Sequence, residues 1–423
     1  MRGGTVVDAG GRRPGDVLVI DGLVAAVGPS LEVPTGTVVL DATGCFVTPG
    51  LVDLHTHLRE PGFEESETVE TASRAAALGG YTAVVAMPNT EPAVDSAAMA
   101  LHILALGAGA LCQVAVAGAI TVARAGRQLA PMAEMAAVGV RLFTDDGAGV
   151  QDTRLMRRAL EYSTAFGVTL AQHCEDAALA AGSHMHEGEW SSRLGIPGAP
   201  AEAEELMVMR DLALARLTGA RLHLLHLSTA GSVALVARAR AAGGAAVTAE
   251  VAPHHLVFTD AEVASYDAVF KVNPPLRPAA DVAALRAALF DGVVDAIATD
   301  HAPHPPEAKE LPFDQAPPGM LGLETTLAVC LTELDLPVER MLALLSWQPA
   351  AIAGLADDHG GPVHAGAPAN LCVIDPAAAW VVDPAALASR SRNTPWRGRT
   401  LAARVRHTVL RGEPVVVDGR AQR

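Results

Sequence analysis

Eight short apolar runs recur along the middle of the chain, and stretches of helical pattern alternate with them. The first leads through Gly50-Leu51-Val52-Asp53-Leu54 into His55. Thr82–Met87, Gln113–Ala117, Val140–Phe143, Val168–His173, Arg221–Leu227, Ala246–Val251 and Val294–Thr299 follow. Apolar runs of this length read as strands buried on both faces. Their alternation with helices predicts a parallel sheet, and eight βα units is the count that closes a TIM-like (β/α)8 barrel. An open doubly wound sheet is the competing fold, but no Gly-rich nucleotide fingerprint supports it.

A chain of 423 residues has room for such a barrel and a smaller appended domain. Val17–Ile20 and Val24–Val27 flank Asp21-Gly22, a strong hairpin signal, and Val38–Leu40 reads as a further strand. Near the other end, Asn370–Ile374 and Val405–Val417 are also strand-like. The two termini are expected to pair into one small β-sandwich. The expected organisation is residues 1–48 and 361–423 in that sandwich, with the barrel over 49–360.

Barrel active sites lie at the C-terminal ends of the strands, and polar residues of one kind collect there. The first strand ends in His55-Thr56-His57, the fourth in Asp145-Asp146, the fifth at His173, the sixth at His226 and the eighth at Asp300. Residues two apart on a strand share a face, so His55 and His57 point together, and Arg59 has the same parity. Imidazole and carboxylate suit zinc and related divalent ions. One histidine at a strand end is ordinarily a hydrogen-bonding residue; a set of this size, each ending an apolar run, reads as a metal centre. Alternation does not choose between Asp145 and Asp146. Asp53 and Glu175 are expected to orient ligands. His254 and His255 read as hydrogen-bonding neighbours, His223 as packing outside the barrel, and His184 and His186 as members of a solvated loop. Two metals could share a bridging carboxylate. The only lysines, Lys271 and Lys309, lie off strand four, so a carboxylated-lysine bridge is closed to this chain.

The formal net charge of −16 argues against nucleic acid or an anionic membrane as partner. Five scattered cysteines with no CxxC pair read as buried, reduced thiols of a cytoplasmic protein. The N-terminus lacks a basic segment followed by an apolar core. Ser96–Ile120 carries no Asp, Glu, Lys or Arg, but His102, Gln113 and the Gly107-Ala108-Gly109 break make it a helix and a buried strand rather than a membrane span.

Gly50-Leu51-Val52-Asp53-Leu54-His55-Thr56-His57-Leu58-Arg59-Glu60-Pro61-Gly62 resembles the signature of the dihydroorotase family of amidohydrolases, in its long bacterial (type I) class. Ala86–Thr90, Phe143–Gly147, Val272–Arg277, Ala298–His304, Gly322–Thr325 and Thr394-Pro395-Trp396 extend the likeness over nearly the whole chain. The resemblance implies that His55, His57 and Asp300 hold one zinc, His173 and His226 a second, and that Asp146 bridges them. It also implies that His57, Leu58, Arg59, Asn89, Asn273, His304, Pro318 and Gly319 bind the substrate. The family often carries an aromatic residue where Pro318 stands. The implied reaction is reversible closure of N-carbamoyl-L-aspartate to L-dihydroorotate, a step of pyrimidine synthesis, with Asp300 moving the proton. Such chains also pair with aspartate transcarbamoylase, and a homo-oligomer is expected. The rival readings are a hydantoinase or allantoinase, and a non-catalytic transcarbamoylase subunit, which typically lacks the metal ligands.

Overall fold

The structure, a computed structural model, describes residues 1–244 and 246–423. Eight parallel strands form one sheet in chain order: β1 (Leu51–Thr56), β2 (Tyr81–Ala86), β3 (Gln113–Gly118), β4 (Leu142–Phe143), β5 (Thr169–Gln172), β6 (Arg221–Leu224), β7 (Ala246–Val251) and β8 (Ala296–Ile297). Helices lie between them, several started by side-chain caps. Thr68 forms a capping box with Thr71, and Ser96, Asp152 and Thr229 each accept from a first-turn N–H. The Ser96–Ile120 stretch folds as a helix over Ala97–Leu106 followed by β3. Among the described residues, no helix is long and apolar enough to cross a membrane.

Leu54, Val85, Met87, Ala117, Leu142, Ala171, Leu225, Ala296 and Ala298 pack together although they come from, or just after, seven different strands. Only the inside of a closed sheet brings them into contact, and the small residues keep that interior narrow. Leu222 and Leu224 face outward into a second cluster with helix residues such as Val208 and Val236.

The β8–β1 edge closes by a different device. One bridge, Thr56 to His301, joins the two sides. The Asp53 carboxylate supplies the rest, accepting from Thr299 N at 3.0 Å, from Thr299 Oγ1 and from His55 N at 3.3 Å. Asp53 therefore stitches the barrel shut and touches no candidate ligand ring, contrary to the orienting role expected for it.

Both termini join a second sheet of seven strands. Phe46–Pro49 pairs with Thr5–Asp8 on one side and with Leu371–Val381 on the other. The expected hairpin is present, with Ile20 opposite Leu23 and both Asp21 and Gly22 at positive φ. It packs Val17 and Val24 on Val6, Val47 and Val373 of the larger sheet, giving two layers. Val38–Leu40 is not a strand; Val38 and Val39 are exposed, and of the three only Leu40 packs into the core beside Val6 and Val47. At Gly50 the chain passes from one sheet to the other. A Cβ there would lie 2.1 Å from Thr82 Cγ2, so the crossing requires glycine.

Residues 382–399 connect Leu371–Val381 to Thr400–Leu410 and lie against the barrel. Glu324 accepts from Ala388 N and Ser389 N, Glu67 accepts from Ser389 Oγ and Arg390 N, and Ser391 Oγ donates to Ser66 O.

Candidate metal centre

Six side chains from five strand ends meet: His55, His57, Asp146, His173, His226 and Asp300, every one buried. Asp146 is at their middle. Its Oδ1 lies 3.4 Å from His55 Nε2, 3.5 Å from His173 Nδ1 and 3.6 Å from His226 Nε2, and its Oδ2 lies 3.6 Å from His57 Nε2. Asp300 Oδ1 is 3.3 Å from His57 Nε2 and 3.6 Å from His55 Nε2. Two overlapping groups have spacing that could hold an ion: His55 with His57 and Asp300, and His55 with Asp146 and His226. His173 joins through its Nδ1, 3.0 Å from His226 Nε2.

The donor set fits divalent metal. Among the described residues, His55 Nε2 and Asp146 Oδ1 are buried at the middle of this set and have no hydrogen-bond partner. Leaving such atoms unpaired costs about 1–3 kcal/mol each, more for charged groups, and a cation would satisfy them. Burial opposes charge on Asp146, yet the facing His55 charge and the nearby His173, His226 and His55 rings hold its carboxyl well below the usual range. Asp300 is lowered in the same way, burial being outweighed by His57, His55 and His226.

The imidazoles are held from behind. His55 Nδ1 donates to Glu250 Oε1 at 2.9 Å, which leaves Nε2 facing the centre. Glu250 Oε2 accepts from His223 Nε2 at 2.9 Å, and His223 Nδ1 bonds Thr248 Oγ1 at 2.8 Å. Burial opposes the Glu250 charge, but these two histidines pull its carboxyl down to about 2. Carboxylate–histidine pairs of this kind fix the tautomer of a ligand. Glu250 escaped the sequence reading, although a lone acid inside an apolar strand was a usable signal. His223 therefore belongs to the barrel interior, not its outside. β6 ends at Leu224 and His226 sits at φ 28°, so strand alternation does not carry from one residue to the other.

Asp145 and Asp146 separate clearly. Asp145 turns back to accept from Ile120 N at 2.9 Å, Thr121 N at 3.0 Å and Thr121 Oγ1, bracing β3. Glu175 makes no hydrogen bond to a ligand ring; its carbonyl accepts from Gln151 Nε2. His255 Nε2 donates to Pro274 O, while His254 Nε2 stands 4.0 Å from Asp300 Oδ2. Burial lowers His254 to about 4, so its ring is neutral. His184 and His186 are not a solvated pair: His184 Nδ1 meets Lys271 Nζ at 3.3 Å, and buried His186 meets Arg277 Nη1 at 3.0 Å.

The residues expected to bind substrate surround this centre. Asn89 Oδ1 lies 2.9 Å from His57 Nδ1, and Asn273 Nδ2 lies 3.4 Å from His173 Nε2. Arg59 lies beyond the end of β1 at φ 64°, so a left-handed turn rather than strand parity aims it. Its Nε donates to Pro303 O at 3.1 Å and its Nη2 is 3.3 Å from His304 Nε2. Burial lowers Arg59 to about 10, which leaves it cationic at neutral pH. His304 Nε2 donates to Pro318 O at 2.8 Å, and burial followed by Arg59 pushes His304 down to about 3. Gly319 is buried beside them; Pro318 is exposed. Leu58 turns its side chain into the strand–helix core, so a substrate contact there falls to its backbone. Arg59, His226 and Asp300 all hold positive φ, a strain of about 1–3 kcal/mol each that the surrounding packing sustains.

A family model described as dihydro-orotase-like matches residues 44–232. The chain is 50% identical over 417 residues to a dihydroorotase of Mycobacterium bovis, covering 96% of this chain and 95% of that one. It is 50% identical over 427 residues to a dihydroorotase of Streptomyces coelicolor, with 99% and 98% covered. Among solved structures, the L-hydantoinase of Arthrobacter aurescens superposes with a TM-score of 0.86 at 27% identity, covering 99% of this chain and 96% of that one. A D-hydantoinase of Thermus sp. shares the fold, with a TM-score of 0.85 at 24% identity over 99% of this chain and 95% of that one. This chain belongs to the dihydroorotase family.

Proposed function

We propose that the protein is a dihydroorotase, interconverting N-carbamoyl-L-aspartate and L-dihydroorotate in pyrimidine synthesis. The observation that carries this reading is a buried set of six metal-type donors with a cationic Arg59 at its rim. His55, His57 and Asp300 would hold one Zn2+, and His173 and His226 a second, with Asp146 between them. A metal held there would supply a water acidified to a pKa of about 7 and a Lewis acid for a carbonyl oxygen.

The remaining chemistry falls to the side chains. In the hydrolytic direction water adds across the ring amide: its oxygen joins the carbonyl carbon, the C–N bond breaks, and a proton reaches the ring nitrogen. Asp300 is the group that takes the proton from water and passes it to that nitrogen. Arg59 forks two hydrogen bonds to the substrate carboxylate, with His304 beside it. Asn89, Asn273 and the Leu58 and Pro318–Gly319 backbone line the ring. His57 is placed by Asn89, and His55 by Glu250.

A substrate panel tests this. Purified protein loaded with zinc should turn over dihydroorotate and leave hydantoin and allantoin nearly untouched. Preference for either of the latter would make it another cyclic amidase. Five buried free thiols accord with a cytoplasmic setting. The further proposals are a homo-oligomer and association with aspartate transcarbamoylase, read by sedimentation of the protein alone and mixed with that enzyme.

A further inference from the structure

The connection over residues 382–399 belongs to the terminal sheet, yet one of its side chains reaches three points of the loops beside the metal centre. Asn393 is buried. Its Nδ2 donates to Ala302 O at 3.0 Å and to Gly319 O at 3.1 Å, and its Oδ1 accepts from His304 N at 3.2 Å. Its own carbonyl accepts from Leu321 N at 3.1 Å. Each polar atom of the amide is used with the matching partner.

Those three points bracket the residues at the rim. Ala302 and His304 flank Pro303, whose carbonyl accepts from Arg59 Nε. Gly319 follows Pro318, whose carbonyl accepts from His304 Nε2. The fit is close: at Gly319, with φ 147°, a Cβ would lie 2.8 Å from Ala302 O and 2.9 Å from His304 Nε2. One amide from the terminal sheet thus ties the segments that carry His304 and Gly319 and that receive Arg59, alongside Lys309 Nζ on Gly319 O and Lys271 O on Gly319 N. The connection that carries it is itself fastened, by Glu324 to Ala388 and Ser389 and by Glu67 to Ser389 and Arg390.

We infer that Asn393 is a positioning residue for recognition of the substrate carboxylate, acting through Pro303, His304 and Gly319 and linking the terminal sheet to the specificity of the barrel. This inference rests on the dihydroorotase reading. Aspartate at this position has nearly the same shape but no donor, and it would turn an oxygen toward two carbonyls.

The test uses the zinc-loaded full chain as wild type, Asn393→Ala and Asn393→Asp, each assayed on L-dihydroorotate and on its methyl ester, which lacks the negative charge. Displacement by a fraction of an ångström at a positioned group is costly. The expected result is a rise of about tenfold or more in KM for dihydroorotate. The preference for acid over ester, read as the ratio of kcat/KM values, should fall by a similar factor. Loss of folding alone would lower both substrates together and preserve the ratio. An unchanged ratio in a folded variant overturns the inference. Asn393→Asp carries the test where Asn393→Ala does not fold. If the wild type binds the acid without turning it over, the dihydroorotase reading fails, and calorimetric affinities for acid and ester decide the role of Asn393. Wild type that binds neither overturns both.

Discussion

At the scale of single residues, the centre divides into side chains that would meet metal or substrate and side chains that hold them. Asp300 belongs to the first kind. Asp300→Asn keeps the shape but removes a carboxylate able to accept a proton, and steady-state assay should show turnover lower by about 10²–10⁴-fold with circular dichroism unchanged. Glu250 belongs to the second. Glu250→Gln weakens the grip on His55 and on His223, and metal titration should show affinity lower by about 10–100-fold. Arg59→Met should lose most dihydroorotate activity while metal analysis finds the centre still loaded. Five of the six residues that meet here were legible from the sequence because each closes an apolar run, and a strand end admits few geometries; the choice of Asp146 over Asp145 came from the family resemblance alone. Glu250 and His223 were harder to read. Their roles depend on which strands become neighbours, and on a chain turn at His226 that alternation does not anticipate.

At the scale of elements, the runs predicted as β4 and β8 contract to two residues each. Beyond them the backbone groups find other partners, most clearly along the β8–β1 edge, where Asp53 takes the place of a ladder. Asp53→Ala should leave the Thr299 amide without a partner, and urea unfolding should record a loss of about 1–3 kcal/mol for each group so abandoned. The connection over 382–399 carries a pH dependence. Burial pushes Glu324 up to about 7 from 4.5, although the Ala388 and Ser389 amides pull it back. The folded chain therefore binds a proton that the unfolded chain releases. This contribution to stability is complete below about pH 4.5 and is lost as pH rises through about 7. In thermal melts, Glu324→Gln should flatten the decline between those limits. The sequence held no sign of this docking, because hydrogen bonds between distant loops follow from tertiary placement rather than from local pattern.

At the scale of the whole molecule, two sheets of different construction cooperate. The parallel barrel gathers the donors, and the terminal sheet, made from the two ends of the chain, sends one connection to the rim. A chelator should abolish activity and lower the melting temperature, with zinc restoring both, because an ion that binds only the folded state stabilises it by mass action. The alternation of eight units made the barrel readable in advance, and strand-like ends made the second sheet readable too. The contact between them was not.

Lysine is scarce in this chain. The side-chain amines of the chain are Lys271 and Lys309 alone. Lys271 Nζ donates to Phe313 O and Asp314 O, and Lys309 Nζ to Pro317 O and Gly319 O, so both clasp the loop beside the pocket and neither is exposed. An acylating label or an amine-coupled support finds no lysine on the open surface of this protein. Coupling at lysine has to compete with those hydrogen bonds, and each molecule caught this way is tethered by the wall of its own reaction chamber.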